Sequence, residues 1–120
     1  MLVKPGYTGA LNNYRGDDTT KLDFTHFFEQ GKLTRSVFYF ENGRVQEEYA
    51  YKCGALHGMQ QYYYENGVLA KKIPFSYGYR QGTGELFDEK GVLRQRVIFV
   101  ADSVAGEPKN FNEKGELIQP

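Results

Sequence analysis

A 24-residue period runs through most of this chain and limits what it can fold into. It is anchored on Gly43, Gly67, Gly91 and Gly115, preceded by YFENGRV at 39–45, YYENGVL at 63–69, FDEKGVL at 87–93 and FNEKGEL at 111–117. A second column, Gly58, Gly82 and Gly106, keeps the same spacing. A period of this length signals an array of small units that must stack to bury their apolar faces. In such an array function belongs to surfaces more often than to a catalytic pocket.

Within one unit the pattern is strand, turn, strand. Gln60–Tyr64 is rich in strand formers, Glu65-Asn66-Gly67 reads as a turn in which Asn and Gly accept positive φ, and Val68–Phe75 reads as a second strand. Pro74 interrupts that second strand and implies a bulge or an unpaired position. A further turn at YGYRQGTG, 77–84, leads into the next unit. Two, six and eight residues past each anchor glycine stand Val45, Tyr49 and Tyr51, then Leu69, Ile73 and Phe75, then Leu93, Val97 and Phe99. That alternation predicts one apolar face. Glu47, Lys71 and Gln95, four past the glycine, break it and predict a bend or an opening to solvent. Tyr39, Tyr63, Phe87 and Phe111 form an aromatic column, expected to stack from unit to unit as core. FEQGKL at 28–33 aligns with YKCGAL at 51–56, but only 12 residues separate Gly31 from Gly43 whereas 13 separate Gly54 from Gly67, so one residue has been lost.

The expected organisation is a single all-β domain over 1–120, with an N-terminal cap at 1–26 and repeats over 27–118. Its architecture is an elongated, twisted antiparallel sheet of stacked hairpins. Pro120 would blunt the last edge. Fifteen basic and fifteen acidic residues leave no net charge. That argues against nucleic-acid binding by bulk charge and against an anionic membrane surface. MLVKPGYTGA lacks an apolar run of signal-peptide length, which gives the expectation of a cytoplasmic protein. Cys53 is the sole cysteine, in a turn, and neither His26 nor His57 is patterned to pair with it. Asp17, Asp18 and Asp23 do not have the spacing of a calcium loop. Neither a catalytic set, a metal site nor a cofactor motif emerges, so the expectation is a protein that is not an enzyme and uses no cofactor.

These residues resemble the MORN repeat in its bacterial variant form: YFENG at 39–43, YYENG at 63–67, YKCGALHG at 51–58 and FSYGYRQG at 75–82, with IFVADSVAG at 98–106 keeping only the second glycine and carrying Asp102 in place of the first. The resemblance covers about residues 27–118 and implies a sheet of successive hairpins. It also implies binding rather than chemistry. Bacterial members of the variant type include the YwqK-like antitoxin family, immunity proteins that neutralise toxins by binding them. The expectation is an immunity or antitoxin protein whose partner is a toxin or effector protein. A scaffold that self-associates, as a homo-oligomer, or that binds lipid peripherally is the alternative.

Two surfaces are candidates for that partner. Positions five and three before the glycine hold Phe38 and Phe40, then Tyr62 and Tyr64, but Leu86 and Asp88, then Asn110 and Asn112, in later units. The aromatic end is either an exposed hot-spot patch or is covered by Leu2, Val3, Tyr7, Leu11, Tyr14, Leu22 and Phe24 of the cap. In the second case the charged face, with Arg44, Glu48, Lys72, Arg94 and Arg96, is the binding surface.

Overall fold

Two kinds of turn build the molecule, and each follows from its residues. In the computed structural model, which describes residues 3–118, the anchor glycines Gly43, Gly67, Gly91 and Gly115 all have φ between 82° and 90°. Each donates its N–H to the carbonyl three residues back, as Gly67 does to Tyr64 at 2.9 Å. Asn66 does not share the positive φ expected of it. Its side chain accepts the Val68 N–H instead, at 2.9 Å. The second kind is a two-residue loop with positive φ at both positions: Gln30-Gly31, Cys53-Gly54, Tyr77-Gly78 and Ala101-Asp102. That is the hairpin turn whose twist matches the strands it joins.

The strands are β1 (Gly9–Arg15), β2 (Asp18–Glu29), β3 (Lys32–Tyr39), β4 (Val45–Lys52), β5 (Ala55–Leu56), β6 (Gly58–Tyr63), β7 (Leu69–Ser76), β8 (Tyr79–Arg80), β9 (Gly82–Phe87), β10 (Leu93–Val100), β11 (Ser103–Val104), β12 (Lys109–Phe111) and β13 (Leu117–Ile118). They form one open antiparallel sheet in the order β1-β2-β3-β4-β6-β7-β9-β10-β12-β13. The short strands β5, β8 and β11 pair with β4, β7 and β10. No helix occurs among the described residues, so none is long and apolar enough to cross a membrane. Leu2 and Pro120 lie outside the described residues.

Bulges recur with the period and correct the expected apolar face. Tyr62 pairs with Lys71, but Tyr63 pairs with Leu69, so two residues on β7 oppose one step on β6. The same shift separates Phe38↔Glu47 from Tyr39↔Val45 and Leu86↔Gln95 from Phe87↔Leu93. A bulge resets the alternation. Val45, Leu69 and Leu93 therefore lie beside Tyr39, Tyr63 and Phe87 on one face, while Tyr49, Ile73 and Val97 lie on the other. Glu47, Lys71 and Gln95 mark the bend.

The aromatic column does not stack as expected. Tyr39 and Tyr63 lie two strands apart, about 10 Å at ordinary strand spacing, too far for ring contact. All four rings of the column are half-buried. The continuous aromatic row is instead Phe24, Phe38, Tyr49 and Tyr62, one ring from each of β2, β3, β4 and β6. Its centroids are 5.6, 5.7 and 5.8 Å apart.

The apolar core is sparse: among the described residues Phe28, Val37, Val97 and Phe99 are the buried hydrophobic side chains. Phe99 sits tight over Gly84, where an added Cβ would lie 2.9 Å from its ring. Ser36 and Gln60 are fully buried. Gln60 accepts the Ala50 N–H at 2.7 Å and donates to the carbonyls of Ala50 and Gly58 at 3.3 and 3.1 Å. It fills the gap where β4 passes from β5 to β6. Pro74, 24 residues after Ala50, has no N–H to satisfy, and the residue matching Gln60 there is Gly84. Pro74 is in register with Met59 without a bulge, so it is neither bulged nor outside the ladder as expected. Its nitrogen lies on the side where Gln81 donates to its carbonyl, towards the gap between β8 and β9, and there the missing N–H costs nothing.

The described part of the N-terminal segment does not fold over the aromatic face as a lid: Phe24 joins the row at a tilt beside Phe38, and Tyr7 packs 6.1 Å from Phe28 at its margin. Its strand β1 pairs with β2 from Gly9↔Phe28 to Arg15↔Asp18, and so extends the sheet sideways.

Candidate functional site

The sequence-predicted site residues divide among three places. Phe38 and Tyr62 belong to the aromatic row, on the face shared with Phe24, Tyr49, Glu47 and Lys71. They are half-buried by their neighbours rather than exposed. The Tyr49 hydroxyl donates to Glu47 at 2.6 Å, and burial, then this bond, push its pKa well above the usual tyrosine value. The Lys71 ammonium lies 4.4 Å from the Tyr62 ring centroid, a cation–π contact. At the row's N-terminal end His26 packs 4.7 Å from Phe24 and shares a 2.7 Å hydrogen bond between its Nδ1 and the buried Ser36 hydroxyl. Burial lowers the His26 pKa.

Phe40 and Tyr64 do not join that row. They open the anchor turns, each donating its N–H across the turn, to Arg44 and Val68 respectively. The Tyr64 hydroxyl donates to the Phe87 carbonyl at 2.6 Å and ties one unit to the next. Their replacement by Asp88 and Asn112 has a structural cause. In those later turns the side chain itself caps the turn: Asp88 accepts the N–H groups of Lys90 and Val92, and Asn112 those of Lys114 and Glu116. Where the residue is aromatic, Asn42 or Asn66 does the capping. Part of the aromatic asymmetry is therefore a change in which residue closes the turn. The bonds from Val92 and Lys90 hold the Asp88 pKa below the ordinary carboxylate value, against a smaller opposing effect of burial.

The charged candidates also separate. Glu48, Lys72 and Arg96 share a face and fall in one cross-strand row: Glu48↔Gln61, Gln61↔Lys72, Lys72↔Glu85, Glu85↔Arg96, Arg96↔Lys109. Glu85 bridges Lys72 at 3.4 Å and Arg96 at 3.3 Å, and Arg35 reaches Glu48 at 3.2 Å. The charges on this face largely satisfy one another, and the half-exposed pairs contribute little stability. Sequence reasoning missed Arg35 and Glu85 because they sit on strands whose pairing partners were unknown. Arg44 and Arg94 lie elsewhere, at the turn edge. Arg44 reaches the Glu65 carbonyl at 3.4 Å and Arg94 the Phe111 carbonyl at 2.9 Å, so both act between units.

Other sequence candidates have local duties. Asp18 accepts from the Thr20 hydroxyl and N–H at 2.5 and 2.9 Å, and Asp23 pairs with Arg15 at 3.6 Å. His57 is half-buried, packs 4.4 Å from Tyr77 and accepts that residue's N–H. Cys53 is exposed. Among the described residues no three His, Cys, Asp or Glu side chains gather as a metal site would require.

Residues 56–77 match the MORN repeat variant. The matched stretch runs from β5 through the anchor turn at Gly67 to the tight turn at Tyr77, one full structural unit. It supports the reading of the chain as a MORN-type repeat protein. A search of curated proteins finds no match.

Proposed function

We propose that this protein is a non-catalytic binding module that docks a partner protein on its open sheet, most concretely an immunity protein that occludes a toxin. The observation that carries the proposal is the row Phe24, Phe38, Tyr49 and Tyr62, which spans four adjacent strands of a sheet over which the described residues form no second layer. Rigid aromatic rings flanked by charged residues such as Glu47 and Lys71 are the composition of an interface centre and its rim. The resemblance of the repeat to the bacterial variant type supports the toxin as partner class. The test is co-purification with the product of a neighbouring gene, together with deletion of this gene. A complex and acquired toxin sensitivity are expected; absence of both refutes the proposal.

A scaffold role through self-association is the second reading. Among the described residues strand β1 is hydrogen-bonded to β2 alone, and Gly9–Arg15 contains neither proline nor lysine to discourage edge pairing. Sedimentation at several concentrations decides it, because a strict monomer excludes this role.

A further inference from the structure

Of the four turns with positive φ at both positions, three are clasped by a dipeptide from the stretch about one period earlier. The Gly31 N–H donates to the Tyr7 carbonyl at 2.6 Å, and the Gln30 N–H to the Thr8 hydroxyl at 2.9 Å. The Gly78 N–H donates to the Leu56 carbonyl at 2.7 Å, and the Tyr77 N–H to His57 Nδ1 at 3.1 Å. The Asp102 N–H donates to the Arg80 carbonyl at 2.9 Å, and the Ala101 N–H to Gln81 Oε1 at 2.8 Å. The rule is the same three times: a main-chain carbonyl takes the second N–H, and the side chain of the next residue takes the first.

The Cys53-Gly54 turn has the same backbone, with φ of 52° and 81°, yet among the described residues nothing clasps it. By register the dipeptide should be Leu33-Thr34, two and three residues after Gly31. This is where the repeat has lost a residue. The β2–β3 pairing absorbs one extra residue here, between Phe28↔Leu33 and Phe27↔Arg35. The later hairpins absorb two, as between Phe75↔Arg80 and Lys72↔Glu85. The Thr34 hydroxyl turns inward to the Phe27 carbonyl at 3.2 Å. In place of a clasp there are two hollows of about 310 and 320 Å³ that share the lining residues Lys32, Leu33, Tyr51 and Cys53.

We infer that this vacant clasp is a binding slot for an extended acidic segment of a partner protein, which supplies the missing carbonyl to Gly54 and a carboxylate side chain to Cys53. Two adjacent turn N–H groups make an anion-receptive concavity. Lys32 and Lys52 outweigh Glu29 around it and select aspartate over the neutral acceptors used inside the chain. Leu33 and Tyr51 offer an apolar wall for the preceding side chain, which leucine fits. The slot is independent of the aromatic row, so either proposal can fail alone.

The test is a titration of the full chain, followed by amide NMR, with acetyl-Leu-Asp-N-methylamide. The expected result is saturable shifts at Cys53 and Gly54, with half-saturation on the order of millimolar for so small a probe, and none at Tyr77 or Gly78. Acetyl-Leu-Ala-N-methylamide should bind at least five-fold more weakly. Restoring the lost residue, by inserting histidine between Leu33 and Thr34, should abolish the shifts. In the unaltered chain, Cys53 and Gly54 amides should exchange with solvent faster than those of Tyr77 and Gly78, which tests the vacancy without any variant. Equal exchange at the two turns, equal binding of the alanine peptide, or no saturable shift each overturns the inference. Inorganic phosphate giving the same shifts at the same concentration would make the slot a general anion site and overturn the peptide assignment.

Discussion

At the scale of single residues, the most informative side chain is Gln60, which nothing in the sequence marks as buried. It is fully enclosed because the main chain of Ala50 loses its ladder partner where β4 passes between β5 and β6. Gln60→Leu leaves the Ala50 N–H unsatisfied and should cost about 1–3 kcal/mol in urea denaturation. Adding Ala50→Pro should recover part of that loss, since Pro74 meets the same situation one unit later by lacking the N–H altogether. If the double variant is less stable than Gln60→Leu alone, this explanation of Pro74 is wrong. His26 gives a pH-dependent counterpart. Its folded pKa lies below the unfolded value, so its contribution is present above about 6.5 and declines as pH falls below that, because the unfolded chain takes up the proton more readily. His26→Phe should flatten stability against pH between about 5 and 7. An unchanged slope would contradict it.

At the scale of elements, turns and strand identities were largely readable, while face assignments were not. Glycine spacing marks the anchor turns, three of the four tight turns and the lost residue, because glycine adopts positive φ at least cost, while Ala101-Asp102 makes the fourth tight turn without one. Glu47, Lys71 and Gln95 signalled a bend correctly, but alternation alone cannot show that a bulge moves Val45, Leu69 and Leu93 to the opposite face. For the same reason the row Phe24, Phe38, Tyr49 and Tyr62 was invisible: its members occupy different places in the repeat and meet only through pairing register. Phe38 and Tyr62 stand out by their departure from the repeat, whereas Tyr49 falls in the apolar set and its ring neighbours do not show in the spacing. Asp102 shows the clasp at work. The Arg80 guanidinium bonds its carboxylate at 2.7 Å and, with the Arg80 N–H, holds its pKa below the ordinary value. A depressed folded pKa stabilises above the unfolded value of about 3.9, and that stabilisation fades as pH falls through the folded one. Asp102→Asn keeps a residue that tolerates positive φ. It should remove this acid-linked loss, measured by acid unfolding; an identical acid profile would show that the Arg80 contact contributes nothing.

At the scale of the whole molecule, the sheet has little interior. Its extents are 53 × 32 × 17 Å and its radius of gyration is 16.9 Å, against about 13.6 Å for a compact chain of this length. Its accessible surface is 7949 Å², where about 6,600 Å² is typical for this mass. Stability therefore comes from bonds between neighbouring units, and much half-buried apolar surface stays available to a partner. Small-angle scattering should return a radius of gyration well above the compact value for a monomer; a compact value would mean that the sheet folds back on itself. The most direct test of the binding account is calorimetric titration of a co-purified partner against surface variants. Phe38→Ala and Tyr62→Ala, checked for retained strand content, should each weaken binding about 30-fold or more, the loss expected of interface hot spots. Lys72→Ala and Arg96→Ala on the opposite face should leave it within about three-fold. The reverse pattern would place the interface on the charged face and contradict the account.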